Sequence, residues 1–341
     1  MMKKILKITG YVVIALCLLL TAAITFTIGW RPLIGPRARR LTSRKFESTP
    51  ERLVRGKHVA LTRACIFCHS PHDWAAADVP LIPGKEFSGD LMPFLDMPGR
   101  VVAPNLTPDP ETGSGNWSDD QLARAIREGV GHDGRALFPM MPYSFFRKMP
   151  DEDLASLIVY LRSLPAVRHQ QAPSQIIFPV KYLIRSAPEP VTEPVSEPDP
   201  SDRLKWGEYL VTQSICAECH TPASKGRAVP GMEYAGGFPI EWPGGSVASA
   251  NITPDPSGIS YYDEALFISA IRTGHVKARK LSGIMPYAFF NDYSDDDLKA
   301  IFGYLRTLKP VHHRVDNSLP PTLCKICQFK HGGGDQNSIP K

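Results

Sequence analysis

Cys65-Ile66-Phe67-Cys68-His69 and Cys216-Ala217-Glu218-Cys219-His220 are two copies of one pattern, C-x-x-C-H, 151 positions apart. Thiols three positions apart lie close together on one helical turn, so they can form thioethers to the two vinyl groups of one porphyrin. The histidine that follows at once aims a ring nitrogen at the porphyrin iron. A bare C-x-x-C pair reads first as zinc or redox chemistry, and the histidine in both copies turns the reading to covalent haem c. Cys65, Cys68, Cys216 and Cys219 are then the thioether residues and His69 and His220 the proximal iron ligands. Two copies imply two haems and two domains.

A sixth ligand is needed for each iron. Met140-Met141-Pro142-Tyr143 and Met285-Pro286-Tyr287 each precede a Phe-Phe pair, and alignment on Met-Pro-Tyr matches Met141 with Met285. A thioether there completes six-coordination and raises the potential, which suits electron transfer. Methionine is also a common core filler, and Met140 competes at the first haem without a counterpart in the second half. His132 and His275 do not align with each other and read as surface residues.

The elements that must hold these groups repeat as well. Residues 51–69 and 202–220 read as helices running into the C-x-x-C-H stretches, with Gly56 matched to Gly207. Glycine within a helix costs about 1 kcal/mol against alanine, so a second helix is expected to approach closely at both. Residues 151–164 (DEDLASLIVYLRSL) and 295–308 (DDDLKAIFGYLRTL) supply it. Leu154, Ile158 and Leu161 share one face, as do Leu298, Phe302 and Leu305, and acids crowd both N-termini as the helix dipole prefers. Ser294 is the expected N-cap, with Asp297 three positions on. Tyr160 and Tyr304 are expected to pack near the glycines. Between these helices, NLTPDP (105–110) matches NITPDP (251–256), and RAIREG ending at Gly129 matches SAIRTG ending at Gly274. Ser118 and Gln121 suit a capping box, with Asp263 at the Ser118 position, and Gly129 suits the helix stop. Asn-x-Thr-Pro-Asp-Pro reads either as a shared turn or as a hydrogen-bonding site for haem propionates.

The 341 residues are 43% hydrophobic and 21% charged, which allows two globular domains and argues against wholesale disorder. The 33 prolines favour long loops between short helices. From Tyr11 to Trp30 the chain is uncharged, about the ~20 residues a spanning helix needs, with aromatics at both ends. An uncleaved anchor is preferred to a signal peptide cut after Ala23, because apolar character continues through Ile28. Cys17 lies within this helix. The formal charge is +5, yet residues 1–45 carry nine Lys/Arg and no acid; 39 basic residues less nine leaves 30 against 34 acids, formally −4. The basic balance belongs to the membrane end, and nothing suggests a nucleic-acid surface. More basic residues flank the downstream end, against the positive-inside rule, but haem attachment to C-x-x-C-H takes place outside the bacterial cytoplasmic membrane. The N-terminus is therefore placed in the cytoplasm, with the downstream basic group against anionic headgroups.

Residues 186–202, SAPEPVTEPVSEPDPSD, hold five prolines and read as an extended, solvated linker. The expected organisation is membrane anchor and basic segment 1–45, first haem domain 46–185, linker 186–201, second haem domain 202–315 and irregular tail 316–341. In the tail Cys324-Lys325-Ile326-Cys327 is followed by Gln328, so no third haem is counted. Cys324, Cys327 and His331 have half a zinc site's spacing, with His312 and His313 nearby. A disulfide or an idle pair is preferred in an oxidising compartment, and Gly332-Gly333-Gly334 is expected to be flexible.

Taken together, the C-x-x-C-H, the Asn-(Leu/Ile)-Thr-Pro-Asp-Pro, the helix ending in Arg-x-Gly, the Met-Pro-Tyr and the acidic helix with Tyr-Leu-Arg resemble the membrane-bound cytochrome c subunits of bacterial alcohol, aldehyde, gluconate and related periplasmic dehydrogenases. The resemblance covers roughly residues 50–168 and 202–312. Those subunits often carry three haem domains, where this sequence supports two. It implies an all-α fold of two tandem class I cytochrome c domains after an N-terminal transmembrane helix. Cys65, Cys68, His69 and Met141 then hold one haem c, and Cys216, Cys219, His220 and Met285 the other. The implied role is electron transfer, not catalysis, at the periplasmic face of the inner membrane. Electrons pass from a partner dehydrogenase subunit to quinone, another cytochrome or an oxidase. The rivals are a dihaem subunit of a terminal oxidase and a dihaem enzyme such as a peroxidase or thiosulfate-oxidising cytochrome. No nucleophile triad, Walker motif or dinucleotide fingerprint competes.

Overall fold

The computed structural model describes residues 2–224 and 226–338. Its first element, α1 (Met2–Phe26), has no buried residue and is long and apolar enough to cross a membrane. After a short α2 (Arg31–Ile34), the chain runs extended to residue 49 along the first half. Here one expectation is corrected. Arg39 does not face headgroups: its guanidinium lies 2.7 Å from both Asp120 and Glu128, whose side chains are 0 and 1% exposed. Two carboxylates buried side by side need a cation, and this residue supplies it. The main chain adds Thr42 N–H to Asp120 at 2.6 Å and Phe46 N–H to Asp119 at 3.1 Å. The expected boundary at residue 45 is thus not a structural break.

The first half contains α3 (Pro50–Thr62), α4 (Cys65–His69), α5 (Asp119–Glu128), α6 (Tyr143–Phe146) and α7 (Asp151–Ser163). Past α8 (Val180–Leu183), the same order returns as α9 (Arg203–Gln213), α10 (Cys216–His220), α11 (Glu264–Thr273), α12 (Tyr287–Phe290) and α13 (Asp295–Thr307). The capping chemistry read from sequence forms. Ser118 with Gln121 and Ser294 with Asp297 close capping boxes, Asp263 caps α11, and Gly129 and Gly274 end their helices in the left-handed region. Arg127 and Arg272, each two positions before that glycine, reach the start of the terminal helix, at Asp151 (2.6 Å) and Asp295 (2.7 Å).

α3 crosses α7, and α9 crosses α13, at the matched glycines. A Cβ on Gly56 would overlap the Ser156 carbonyl and the Tyr160 Cβ; one on Gly207 would overlap the Ala300 carbonyl and the Tyr304 Cβ. Each crossing organises a core: Val59, Leu122, Ile126, Leu154, Ile158 and Leu161 in the first half, Leu210, Phe267, Ile271, Leu298, Phe302 and Leu305 in the second.

The all-α expectation is too simple. Helix accounts for 38% of the chain, and the described residues include six two-stranded antiparallel ladders. These pair β1 (Asp90–Leu91) with β3 (Val102–Ala103), β2 (Gly99–Arg100) with β4 (Gln175–Ile176), and β5 (Ala223–Ser224) with β6 (Arg227–Ala228). They also pair β7 (Pro239–Trp242) with β8 (Gly245–Ala248), β9 (His275–Val276) with β10 (Arg279–Lys280), and β11 (Pro321–Leu323) with β12 (Lys330–Gly332). Long loops must satisfy their backbone groups somewhere, and short hairpins do so locally. The expected linker, 186–201, is extended but not free. Its Val195 carbonyl accepts from Asp151 N–H at 2.9 Å, Glu197 pairs with Arg55 at 2.6 Å, and Glu189 pairs with Arg147. The expected irregular tail forms the β11–β12 hairpin within its described part, residues 316–338, with 339–341 lying outside the described residues, and Gly332, Gly333 and Gly334 are buried rather than loose.

The crossings make a test. Gly56→Ala and Gly207→Ala should each destabilise by about 1–3 kcal/mol through overpacking. Gly303→Ala, where a Cβ meets nothing within 4 Å, should stabilise by up to ~1 kcal/mol through helix propensity. Denaturant titration of the detergent-solubilised chain measures all three; the same shift at 207 and 303 would contradict close packing.

Candidate functional site

Both C-x-x-C-H helices begin in the same way. The residue before each, Ala64 (φ 54°) or Ile215 (φ 53°), is left-handed, a conformation that costs a non-glycine residue roughly 1–2 kcal/mol. The kink turns the chain between α3 and α4, and between α9 and α10, and the surrounding packing holds it twice over. His69 Nδ1 lies 2.8 Å from the Pro104 carbonyl, and His220 Nδ1 lies 2.7 Å from the Ala250 carbonyl. A carbonyl only accepts, so Nδ1 carries the proton and Nε2 keeps a free lone pair. Burial lowers the pKa of both imidazoles, which holds them neutral.

Pro104 and Ala250 escape a reading of residue types, because a backbone carbonyl has no signature of its own. Their signal is positional: each immediately precedes the asparagine of Asn-x-Thr-Pro-Asp-Pro. The asparagine and threonine of the motif build the shared turn. Asn105 Oδ1 accepts from Thr107 N–H (2.9 Å) and Oγ1–H (2.7 Å), while its amide donates to the Val167 carbonyl at 2.8 Å. Asn251 repeats this with Thr253 (2.9 and 2.8 Å) and Val311 (2.9 Å). All four side chains are buried and spent on protein partners. The motif ties the loop carrying the histidine's acceptor to the stretch of chain leaving the terminal helix.

The four cysteines are unbridged, and burial pushes their thiols up to about 12. They are neutral at physiological pH, and thioethers in their place would be neutral too, so no charge is buried in either form. Cys65 and half-buried Met141 pack on the first core; Cys216 and Met285 pack on the second. Met141 and Met285 also have matched backbones, each carbonyl accepting from the tyrosine N–H two positions on at 2.8 Å. Met140 packs with Met92, Val101 and Ala103, a cluster that Cys68 also borders. His132 lies against Trp117, with ring centroids 4.2 Å apart, and exposed His275 bonds the Thr273 carbonyl. Two neutral thiols on one short helix, an imidazole lone pair and a thioether sulfur packed on the same core as the first of those thiols make up a donor set that fits an iron porphyrin.

The two sites are held against each other. Ala64 and Phe67 of the first half belong to the second core, and Ile215 and Phe289 of the second half pack on the first. At the seam Arg63 is 3% exposed. Its guanidinium donates to Tyr293 Oη at 2.5 Å and Tyr209 Oη at 3.0 Å, and lies 3.7 Å from Asp153, which also accepts from Tyr209. Ser214, which matches Arg63 in the repeat, bonds the same Tyr293 hydroxyl at 2.6 Å. Arg63→Ala should therefore cost about 1–3 kcal/mol, because the Tyr209 and Tyr293 hydroxyls each lose a buried partner while Asp153 keeps Arg55 at 2.6 Å. In a double-mutant cycle, Tyr293→Phe should show a coupling to it of about 0.5 kcal/mol or more. Additive losses in denaturation would show that Arg63 acts elsewhere.

Residues 53–165 match the family model for cytochrome c. The chain is 28% identical over 310 residues to the cytochrome c subunit of a quinone alcohol dehydrogenase from Gluconobacter oxydans, covering 83% of this chain and 61% of that one. It is 30% identical over 273 residues to the fructose dehydrogenase cytochrome subunit of Gluconobacter japonicus, covering 75% and 52%. It is 27% identical over 269 residues to a diheme cytochrome c-type protein of Cereibacter sphaeroides, covering 75% and 86%. The chain thus spans a little over half the length of the two dehydrogenase subunits. It carries a cytochrome c domain and is a homologue of the cytochrome c subunits of bacterial dehydrogenases.

Proposed function

We propose that this chain is a membrane-anchored, dihaem c-type electron carrier that takes electrons from a partner dehydrogenase and passes them to quinone or a downstream respiratory carrier. It comprises two tandem class I cytochrome c domains, residues 46–185 and 202–315. A cytochrome c domain implies covalently bound haem c. The observation that carries the count of two is the repeated geometry: left-handed entry, C-x-x-C-H helix, carbonyl-bound imidazole and Met-Pro-Tyr turn occur in both halves with matched hydrogen bonds. Cys65 and Cys68, and Cys216 and Cys219, would attach the two groups. His69 with Met141, and His220 with Met285, would ligate the irons. Each bound haem would supply a reversible one-electron couple.

The protein's own residues set the conditions for that couple. The Pro104 and Ala250 carbonyls fix the imidazole tautomer and orientation. The thioethers would raise the potentials, and two protein ligands leave no open position for substrate, which supports a carrier over an enzyme. Phe67 and Cys68 pack in the same cluster as Cys216, which supports a relay between the two haems. Helix α1 supports a single-pass anchor, with the bulk on the periplasmic side.

Pyridine haemochrome assay of the purified chain should give two haems, and Cys216→Ser/Cys219→Ser should leave one. Met285→Ala should lower one midpoint potential and leave the other, with partial loss of the methionine–iron charge-transfer band at the red end of the oxidised spectrum. A titration unchanged by Met141→Ala and by Met285→Ala would refute the ligand assignment. Mild-detergent co-purification should recover a dehydrogenase subunit; a multi-span copper–haem oxidase in its place would overturn the partner.

A further inference from the structure

We propose that His313, Cys324, Cys327 and His331 bind one zinc ion in a closed structural site. Their donor atoms all lie within 4.8 Å of one another, and the residues are 0, 0, 1 and 2% exposed. His313 Nε2 is 3.2 Å from His331 Nε2 and 3.3 Å from Cys324 Sγ. Zinc bonds of about 2.0–2.1 Å to nitrogen and about 2.3 Å to sulfur give tetrahedral edges of about 3.3 Å between nitrogens and about 3.6 Å between nitrogen and sulfur. The group is already near that size. Two thiolates and two imidazoles are a soft set that selects zinc over hard cations such as calcium or magnesium.

The outer hydrogen bonds of the two rings leave their Nε2 atoms free for a shared cation. His313 Nδ1 faces the Ala235 carbonyl at 2.9 Å, and His331 Nδ1 faces the Gly332 carbonyl at 3.1 Å. Each Nδ1 is therefore spent on its carbonyl, and the two Nε2 atoms, 3.2 Å apart, are the ring atoms left to ligate a metal. A shared cation satisfies both, and the carbonyls are the outer partners that zinc-bound histidines usually have. The cysteines sit in a turn suited to thiolates: Ile326 N–H points at Cys324 Sγ at 3.4 Å, and Gln328 follows at φ 65°.

The internal repeat provides a control. His169 stands six positions past α7, as His313 stands six past α13, and its Nδ1 faces the Ser88 carbonyl at 3.1 Å. Each of these carbonyl residues precedes a glycine, Gly89 or Gly236, whose N–H donates to the backbone carbonyl of His69 or His220 at 2.7 Å. The Nδ1 bond is thus common to both halves. Only in the second does the chain return with C-x-x-C and another histidine. That return has little apolar cover of its own, since its cluster is Met232, Ala235 and the two cysteines, with Val229, Val311, Ile326 and Phe329 at the margin. A hairpin so thinly covered gains its stability from a metal. The ion would fasten the C-terminal hairpin to the loop behind His220. The preferred sequence reading of Cys324 and Cys327 as a disulfide or idle pair is replaced, since both thiols are free and each is within reach of two imidazoles.

The test does not depend on the haem assignment. The full-length chain is purified in detergent without added metal, and zinc is measured by elemental analysis beside haem iron. One zinc per chain is expected, with an X-ray absorption edge fitted by two sulfurs and two nitrogens. Cys324→Ser/Cys327→Ser should lose the zinc and keep its haem, whereas His169→Ala should keep both. Less than a tenth of an equivalent of zinc in the wild type, a fit without sulfur, or a 324–327 peptide lighter by two hydrogens, as a disulfide makes it, would overturn the proposal. If the double variant does not accumulate, the wild-type metal content and absorption fit decide alone.

Discussion

A buried guanidinium at the seam between the halves is the constraint on which the arrangement depends. Arg63 ends the helix that leads into the first C-x-x-C-H, yet its hydrogen-bond partners Tyr209 and Tyr293 belong to the second half. A cation so enclosed is tolerable only when every neighbour is placed to receive it. The relative position of the halves is therefore specified and not merely permitted. The contacts are reciprocal: α3 meets α12 and α9 meets α6, with Gln213 donating to the Phe145 carbonyl at 3.0 Å. A repeat that packs on itself in this way buries the residues around both C-x-x-C-H helices at once.

Within each half the path from core to site is short. The terminal helix packs on the glycine of the leading helix, and the chain that leaves it is clamped by Asn-x-Thr. The residue before that asparagine offers its carbonyl to the histidine. The last two steps are buried polar groups meeting hydrogen-bond partners. That explains why motifs so far apart in the chain recur together: they are parts of one hydrogen-bonded bracket around an imidazole.

Much of this is legible in the chain. Caps, helix stops and glycine crossings depend on local chemistry, and Ser118, Ser294, Gly129, Gly56 and Gly207 behave as their surroundings dictate. The departures share a cause, which is a partner on a remote segment. Arg39 reads as a juxtamembrane charge because its partners Asp120 and Glu128 lie on α5, beyond the whole of the first C-x-x-C-H loop. Asn105 and Asn251 read as free to meet propionates because Val167 and Val311 come only after the terminal helix of each half. The tail reads as loose because glycines out of context signal freedom, whereas Gly332 is there to let β12 pass close to Asp316.

By itself the sequence determined the donor types, their doubling and the helices that carry them, because thioether spacing, capping and amphipathic periodicity are short-range properties of a covalent chain. The two C-x-x-C-H stretches are recognisable without any fold. The tertiary structure alone decided which carbonyl orients each histidine and how the two helices meet across Arg63. It alone decided that His313, before the C-terminal hairpin, and His331, within it, face the same two thiols. Those are matters of distance between remote segments, which the packing of buried polar groups sets and linear spacing does not encode.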